Sequence, residues 1–126
     1  MAVSEAMENY LETILVLSKN KPELHAVDIC AELGYSRPTL SVVLKKMKDE
    51  GLIIVDECNH ISLTEKGREI AENTYEKHNI LAGMLMAMGV DEAVALEDAC
   101  KLEHDLSDES FSCIKKYYNT HFAKEN

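Results

Sequence analysis

Three side chains late in the sequence, Cys100, Glu103 and His104, fall at spacings i, i+3 and i+4. On an α-helix that spacing gathers a thiol, a carboxylate and an imidazole on one face within about 6 Å of one another, a donor mix suited to a transition-metal ion. The bland alternative is a surface ion pair of Glu103 with His104 beside a Cys100 that packs in a core. His78 lies in the row Ile70, Thr74, His78, Leu81, Leu85 and Met88, so its ring should point inward, where an imidazole needs a hydrogen-bond partner or a metal. A satisfied core histidine is the commoner outcome there. Asn9 and Glu12 are again i, i+3 neighbours, and Glu12 stands beside apolar Leu11, Ile14 and Leu15, where a carboxylate requires a partner.

A second group offers different chemistry. Ser36, Arg37, Thr39 and Ser41 place hydroxyls and one guanidinium at the start of a helical pattern, the end whose dipole favours phosphate, with Pro38 tolerated in the same turn. Lys45, Lys46 and Lys48 follow along it, as donors for phosphate and base edges or as an ordinary solvated basic face. Weaker candidates are His25, His60 and His121, read as solvated side chains. Cys30 and Cys113 read as packing residues, and Cys58 as an exposed thiol. The run Met84 to Met88 suits plastic core or a dimer surface. No GxSxG, P-loop, HExxH or dinucleotide fingerprint occurs, and no nucleophile or oxyanion donor accompanies the cysteine cluster, so no enzyme activity is expected.

These groups need elements to hold them. Ser4 caps a first helix over about 4–19, ended by Asn20-Lys21-Pro22. A second helix fits Ala26 to Leu33 with Val27, Cys30, Ala31 and Leu33 inward and Gly34 as its stop. Ser36 caps a third, whose buried stripe is Leu40, Val43, Leu44 and Met47. After Gly51 the period changes: Leu52 to Val55 and Ile61 to Leu63 read as two short strands around the polar tip Asp56 to His60. Thr64, Asp91 and Ser107 then cap three more helices, to about Met88, Asp105 and His121. Two short helices joined by Gly34-Tyr35-Ser36 and followed by a hairpin make the winged helix-turn-helix order, with the third helix as the reader of a major groove.

The chain has 126 residues, 46% apolar and 29% charged, an ordinary balance for one or two small folded units. No apolar run approaches the roughly 18 residues that would span a bilayer, and no basic, apolar secretory leader opens the sequence, so a cytoplasmic protein with reduced cysteines is expected. The net charge of -10 argues against a polyanionic partner, but its distribution does not. Residues 1–35 carry -4 and residues 69–126 carry -7, whereas residues 36–68 carry +1.

The stretches Met7-Glu8-Asn9-Tyr10-Leu11-Glu12, Ser36-Arg37-Pro38-Thr39-Leu40-Ser41, Leu63-Thr64-Glu65-Lys66-Gly67, Lys77-His78 and Asp98 to Ser107 resemble the diphtheria-toxin-repressor family of iron- and manganese-dependent transcriptional repressors. The resemblance implies a mainly α fold: a winged helix-turn-helix DNA-binding domain over 1–73, then a helical metal-binding and dimerisation domain over 74–126. It implies a homodimer that binds Fe(II) or Mn(II), with other divalent ions such as Co, Ni and Zn as substitutes in vitro. Palindromic double-stranded DNA operators are then repressed to control metal-ion homeostasis. By position the ligand places are Asn9, Glu12, His78, Cys100, Glu103 and His104, and the DNA-binding places are Ser36, Arg37, Pro38, Thr39, Ser41, Lys45 and Lys46.

The set is a hybrid. The manganese branch has aspartate at the place of Asn9 and glutamate at that of Cys100; the iron branch has the cysteine, but methionine at Asn9 and no acid at Glu12. A second site of the iron branch falls on His78, Ala82 and Leu96, two of which have no side-chain donor atom, and the two-domain form, without the third, SH3-like domain of that branch, is expected. One principal ion per subunit is expected, Fe(II) ahead of Mn(II). The rival readings are a winged-helix regulator sensing oxidants or a small ligand without metal, and a small metalloenzyme.

Overall fold

The computed structural model describes residues 5–122, so the expected Ser4 cap lies outside the described residues. Six helices and one hairpin follow in the order α1 (Glu5–Asn20), α2 (Ala26–Leu33), α3 (Arg37–Asp49), β1 (Ile53–Val55), β2 (Ile61–Leu63), α4 (Glu65–Ala87), α5 (Glu92–Asp105) and α6 (Asp108–His121). The chain divides into two compact units, Met1–Asn73 and Thr74–Asn126.

In the first unit α1 buries Met7, Tyr10, Leu11, Ile14 and Leu15, one continuous helical stripe. In α2 the buried residue is Ile29, flanked by half-buried Cys30 and Leu33, while Val27 and Ala31 are exposed. That corrects the expected inward set, because the i, i+3, i+4, i+7 face of this helix is 26, 29, 30 and 33. Gly34 closes α2 at φ 75, a left-handed conformation costly for a side chain with a Cβ, and its N–H reaches the Cys30 carbonyl. Ser36 caps α3, which buries Leu40 and Met47.

The hairpin pairs Ile53 with Leu63, Ile54 with Ser62 and Val55 with Ile61, antiparallel. Ile61 N–H also donates to the Leu24 carbonyl at 2.7 Å, which ties the wing to the chain entering α2. Thr64 Oγ1 accepts from Gly67 N–H at 3.0 Å and donates to the Gly51 carbonyl at 2.7 Å, so one hydroxyl starts α4 and anchors the end of α3. A Cβ on Gly67 would collide with the Leu52 carbonyl oxygen; the hairpin packs that closely on the start of α4.

In the second unit Leu81, Ala82 and Ala99 form the core, with Leu106 and Ile114 packed on it. Asp91 caps α5 through Ala93 N–H, and Ser107 caps α6 through Ser110 N–H. Gly83 is the seat of the Tyr118 ring, so α4 and α6 approach closely there.

Candidate metal centre and nucleic-acid interface

Along α5 the buried positions are Ala95, Ala99 and Glu103, one face at four-residue spacing. Glu103 therefore occupies an inward position that a hydrophobic residue would ordinarily fill, and its side chain has no solvent exposure. A charge buried there needs compensation from its neighbours. On α4, His78 follows buried Thr74 by one turn and precedes buried Leu81 and Ala82, and its Nδ1 lies 3.0 Å from Glu103 Oε1. Cys100, one turn before Glu103, places Sγ 3.7 Å from the same nitrogen. His104 brings Nε2 within 3.3 Å of Glu103 Oε2, its side chain only 3% exposed.

One donor atom each from His78, Cys100 and Glu103 lies within 4.8 Å of the other two. Two ligands about 2.0–2.3 Å from one ion stand at most about 4.6 Å apart, so the three donors need to contract by only tenths of an ångström to share a cation. The donor set fits: an imidazole and a carboxylate suit Mn(II) and Fe(II), and the thiolate adds affinity for softer ions. His104 reaches the group through the second oxygen of Glu103. Asn9, exposed, and Glu12, half-buried, stand one turn apart on α1 of the first unit.

The other three histidines differ from their sequence reading in part. His25 and His60 stack edge to face, ring centroids 4.7 Å apart, instead of standing alone in solvent. Their separation in sequence hides this, because the Leu24–Ile61 backbone bond is what brings them together. His121 is exposed and lies against the Tyr117 ring. Cys113, expected to pack, is exposed on α6.

On α3 the side chains of Ser36, Arg37, Pro38, Thr39, Ser41, Lys45 and Lys46 are all exposed. Two hydroxyls are already engaged: Ser36 Oγ accepts from Thr39 N–H at 3.4 Å and donates to Thr39 Oγ1 at 3.0 Å. Lys45 Nζ pairs with Asp49 at 3.3 Å, an exposed i, i+4 contact of the kind worth well under about 1 kcal/mol. Between α3 and the wing runs an open cleft bounded by Ser41, Lys45, Lys48 and Val55.

Residues 2–61 match the model of the iron dependent repressor N-terminal DNA binding domain, and residues 64–123 that of the iron dependent repressor metal binding and dimerisation domain. The chain belongs to the iron-dependent repressor family. This family membership makes it a metal-responsive, DNA-binding transcriptional regulator. It is 32% identical over 120 residues to the transcriptional regulator MntR of Escherichia coli O157:H7, covering 95% of this chain and 77% of that one. An uncharacterised HTH-type transcriptional regulator of Methanocaldococcus jannaschii is 34% identical over 115 residues, covering 90% and 92%. Among solved structures, the manganese regulator SloR superposes with TM-score 0.79 at 29% identity over 94% of this chain. The metal-dependent transcriptional regulator MtsR gives TM-score 0.81 at 26% identity over 90% of this chain. The chain spans about half the length of both, 55% and 53%. Among the described residues no helix is long and apolar enough to cross a membrane.

The boundary between the two matched family domains falls at the end of the hairpin, where Thr64 starts α4. Every residue of the His78, Cys100 and Glu103 cluster belongs to the metal binding and dimerisation part, and α3 with β1 to the DNA binding part.

Proposed function

We propose that the chain represses transcription from palindromic operators as a cytoplasmic homodimer, and that it binds DNA tightly when Fe(II) or Mn(II) occupies a site formed by Asn9, Glu12, His78, Cys100, Glu103 and His104. The observation that carries this reading is the convergence of His78, Cys100 and Glu103 on one point. The family resemblance adds His104, Asn9 and Glu12. Cys100 tilts the set toward Fe(II), with Co(II), Ni(II) and Zn(II) as substitutes in vitro, and the neutral amide of Asn9 disfavours a second adjacent cation.

A bound divalent ion supplies the positive charge that clustered carboxylates lack. Glu103 is held by the His78 and His104 imidazoles in its place, which keeps the carboxylate aimed while leaving it weakly compensated. A coupling of about 1–3 kcal/mol between the two sites shifts DNA affinity roughly 5- to 150-fold, enough for a switch. On α3, Arg37, Pro38, Thr39 and Ser41 are placed for base edges, and Ser36, Lys45 and Lys46 for phosphate.

The test is operator binding by the EDTA-treated protein against the same protein with added Fe(II), Mn(II), Co(II) or Zn(II). Tighter binding with Fe(II) or Mn(II) is expected, and equal affinity with and without metal defeats the reading. An oxidant sensor acting through the exposed Cys100 thiol is the second reading. It predicts DNA binding that changes with peroxide and not with chelator.

A further inference from the structure

At the base of the wing, His25 and His60 each have a carboxylate behind the ring. Asp28 Oδ2 lies 4.0 Å from His25 Nδ1, and Asp56 Oδ2 lies 3.3 Å from His60 Nδ1. Lys21 Nζ stands 3.2 Å from the other Asp28 oxygen. Both carboxyls are held below the usual aspartate range, each chiefly by the backbone N–H of its partner histidine, so both stay ionised near neutral pH.

His25 is also a wall of an open cleft of about 410 Å³ between the starts of α2 and α3 and the wing. Its other polar walls are Arg37, Ser41 and Asn59, and no carboxylate lines it. The remaining walls are apolar, and His60 stands behind His25, edge-on to its ring. The cleft is continuous with the exposed face of α3, with which it shares Arg37 and Ser41. The imidazole of His25 and the neutral amide of Asn59, with no carboxylate in the lining, match a phosphate diester beside the base-reading Arg37 and Ser41. The first unit is acidic as a whole, -4 over residues 1–35, which include His25, against +1 over residues 36–68, so one added proton at the cleft changes its attraction for DNA appreciably.

We propose that this cleft seats a backbone phosphate of duplex DNA, that His25 binds the phosphate in its protonated form, and that His60 is a positioning residue for the His25 ring. The inference rests on the reading that α3 and the wing face DNA. It fixes a sign. A phosphate favours the charged imidazole, so DNA binding takes up a proton and affinity rises as pH falls through the histidine range. Metal ligation has the opposite sign, because protons compete for the same imidazole nitrogens. The two effects separate when metal is absent.

The test measures fluorescence anisotropy of a random-sequence duplex with the full chain in EDTA at low, fixed salt, from pH 6.0 to 8.0. The wild type is expected to bind about five- to tenfold tighter at pH 6.0 than at pH 8.0, within the limit of about tenfold per pH unit for one proton. His25→Gln should flatten this to within about twofold, and His60→Gln should halve the slope without removing it. His25→Lys should bind at pH 8.0 as the wild type does at pH 6.0, with no slope. His121→Gln, at an exposed position on α6, should keep the full dependence. A His25→Gln variant with the wild-type slope overturns the proposal. If that variant loses its helical circular dichroism, His25→Lys decides, and a wild-type slope in it overturns the proposal equally. Wild type that binds the duplex at no pH, either in EDTA or with added Mn(II), removes the DNA-facing reading itself, whereas binding that ignores pH removes only the phosphate seat.

Discussion

Each unit of the chain holds a cluster of imidazoles and carboxylates, built from the same residue types under different burial. In the first unit Asp28 and Asp56 are partly exposed and accept backbone N–H bonds at 2.9 Å from His25, Cys58 and His60. Those carboxylates are occupied by the chain that folds around them, and the two rings beside them add a contact the fold can spare. In the second unit Glu103 has no exposure and meets His78 and His104 at 3.0 and 3.3 Å. Position decides the difference: the hairpin turn and the first turn of α2 supply free backbone donors, whereas the last turn of α5 has spent its N–H groups on the helix. A carboxylate in the first setting caps a turn. In the second it must draw its compensation from side chains or from a cation.

The largest effect expected from breaking that contrast is at Glu103. Glu103→Ala should remove the whole metal response of operator binding, about 5- to 150-fold in affinity, with helical circular dichroism retained; anisotropy titrations with and without Mn(II) check it. His78→Ala should do the same. A smaller change sharpens the chemistry of the cluster without emptying it. Cys100→Glu combined with Asn9→Asp replaces soft and neutral donors by hard anionic ones, and should raise the Mn(II) response relative to Fe(II) about tenfold in anaerobic titrations. An unchanged ratio would remove Cys100 from the ligand set.

On the DNA side, Lys45→Ala should weaken binding to specific and random duplexes alike and reduce the salt slope by roughly one, since a phosphate contact carries no sequence information. Its effect is reduced by the Asp49 pairing already present. The smallest effect is expected at the Asp56 turn. Its carboxyl titrates below 3.8 because the fold favours the ionised form, so the contribution to the turn is intact above that pH and fades as pH falls through the lower folded value. The amide resonances of Cys58 and His60 should move together in that acid range, and in Asp56→Asn they should not titrate.

Local signals account for what the sequence made legible. Ser36, Thr64, Asp91 and Ser107 cap helices where their side chains suit that position, and the change of period after Gly51 marks the hairpin. The apolar stripe of α2 is ambiguous in sequence because eight residues give barely two turns: spacing alone admits Val27 and Ala31 inward, whereas the structure buries Ile29. Helical spacing groups Cys100, Glu103 and His104, but the approach of His78 depends on how α4 packs on α5 through small residues such as Ala82 and Ala99, which no period encodes. The His25 and His60 pair was hidden for the same reason. Charge type, spacing and inward position suggest a site; tertiary packing decides which atoms meet.

The hydroxyl clasp of Ser36 and Thr39 has a consequence for recognition. A base-edge donor that takes the Thr39 Oγ1 lone pair held by Ser36 displaces a hydrogen bond the free protein already makes, so that contact is an exchange rather than a gain, with a net change of about 0.5–1.5 kcal/mol at most. What the clasp offers instead is order. The Thr39 rotamer is fixed before any duplex arrives, so little conformational freedom is lost on contact. Discrimination at this position therefore depends on geometry: a base that matches the fixed hydroxyl keeps the exchange even, and a mismatched one leaves a donor or acceptor unmet.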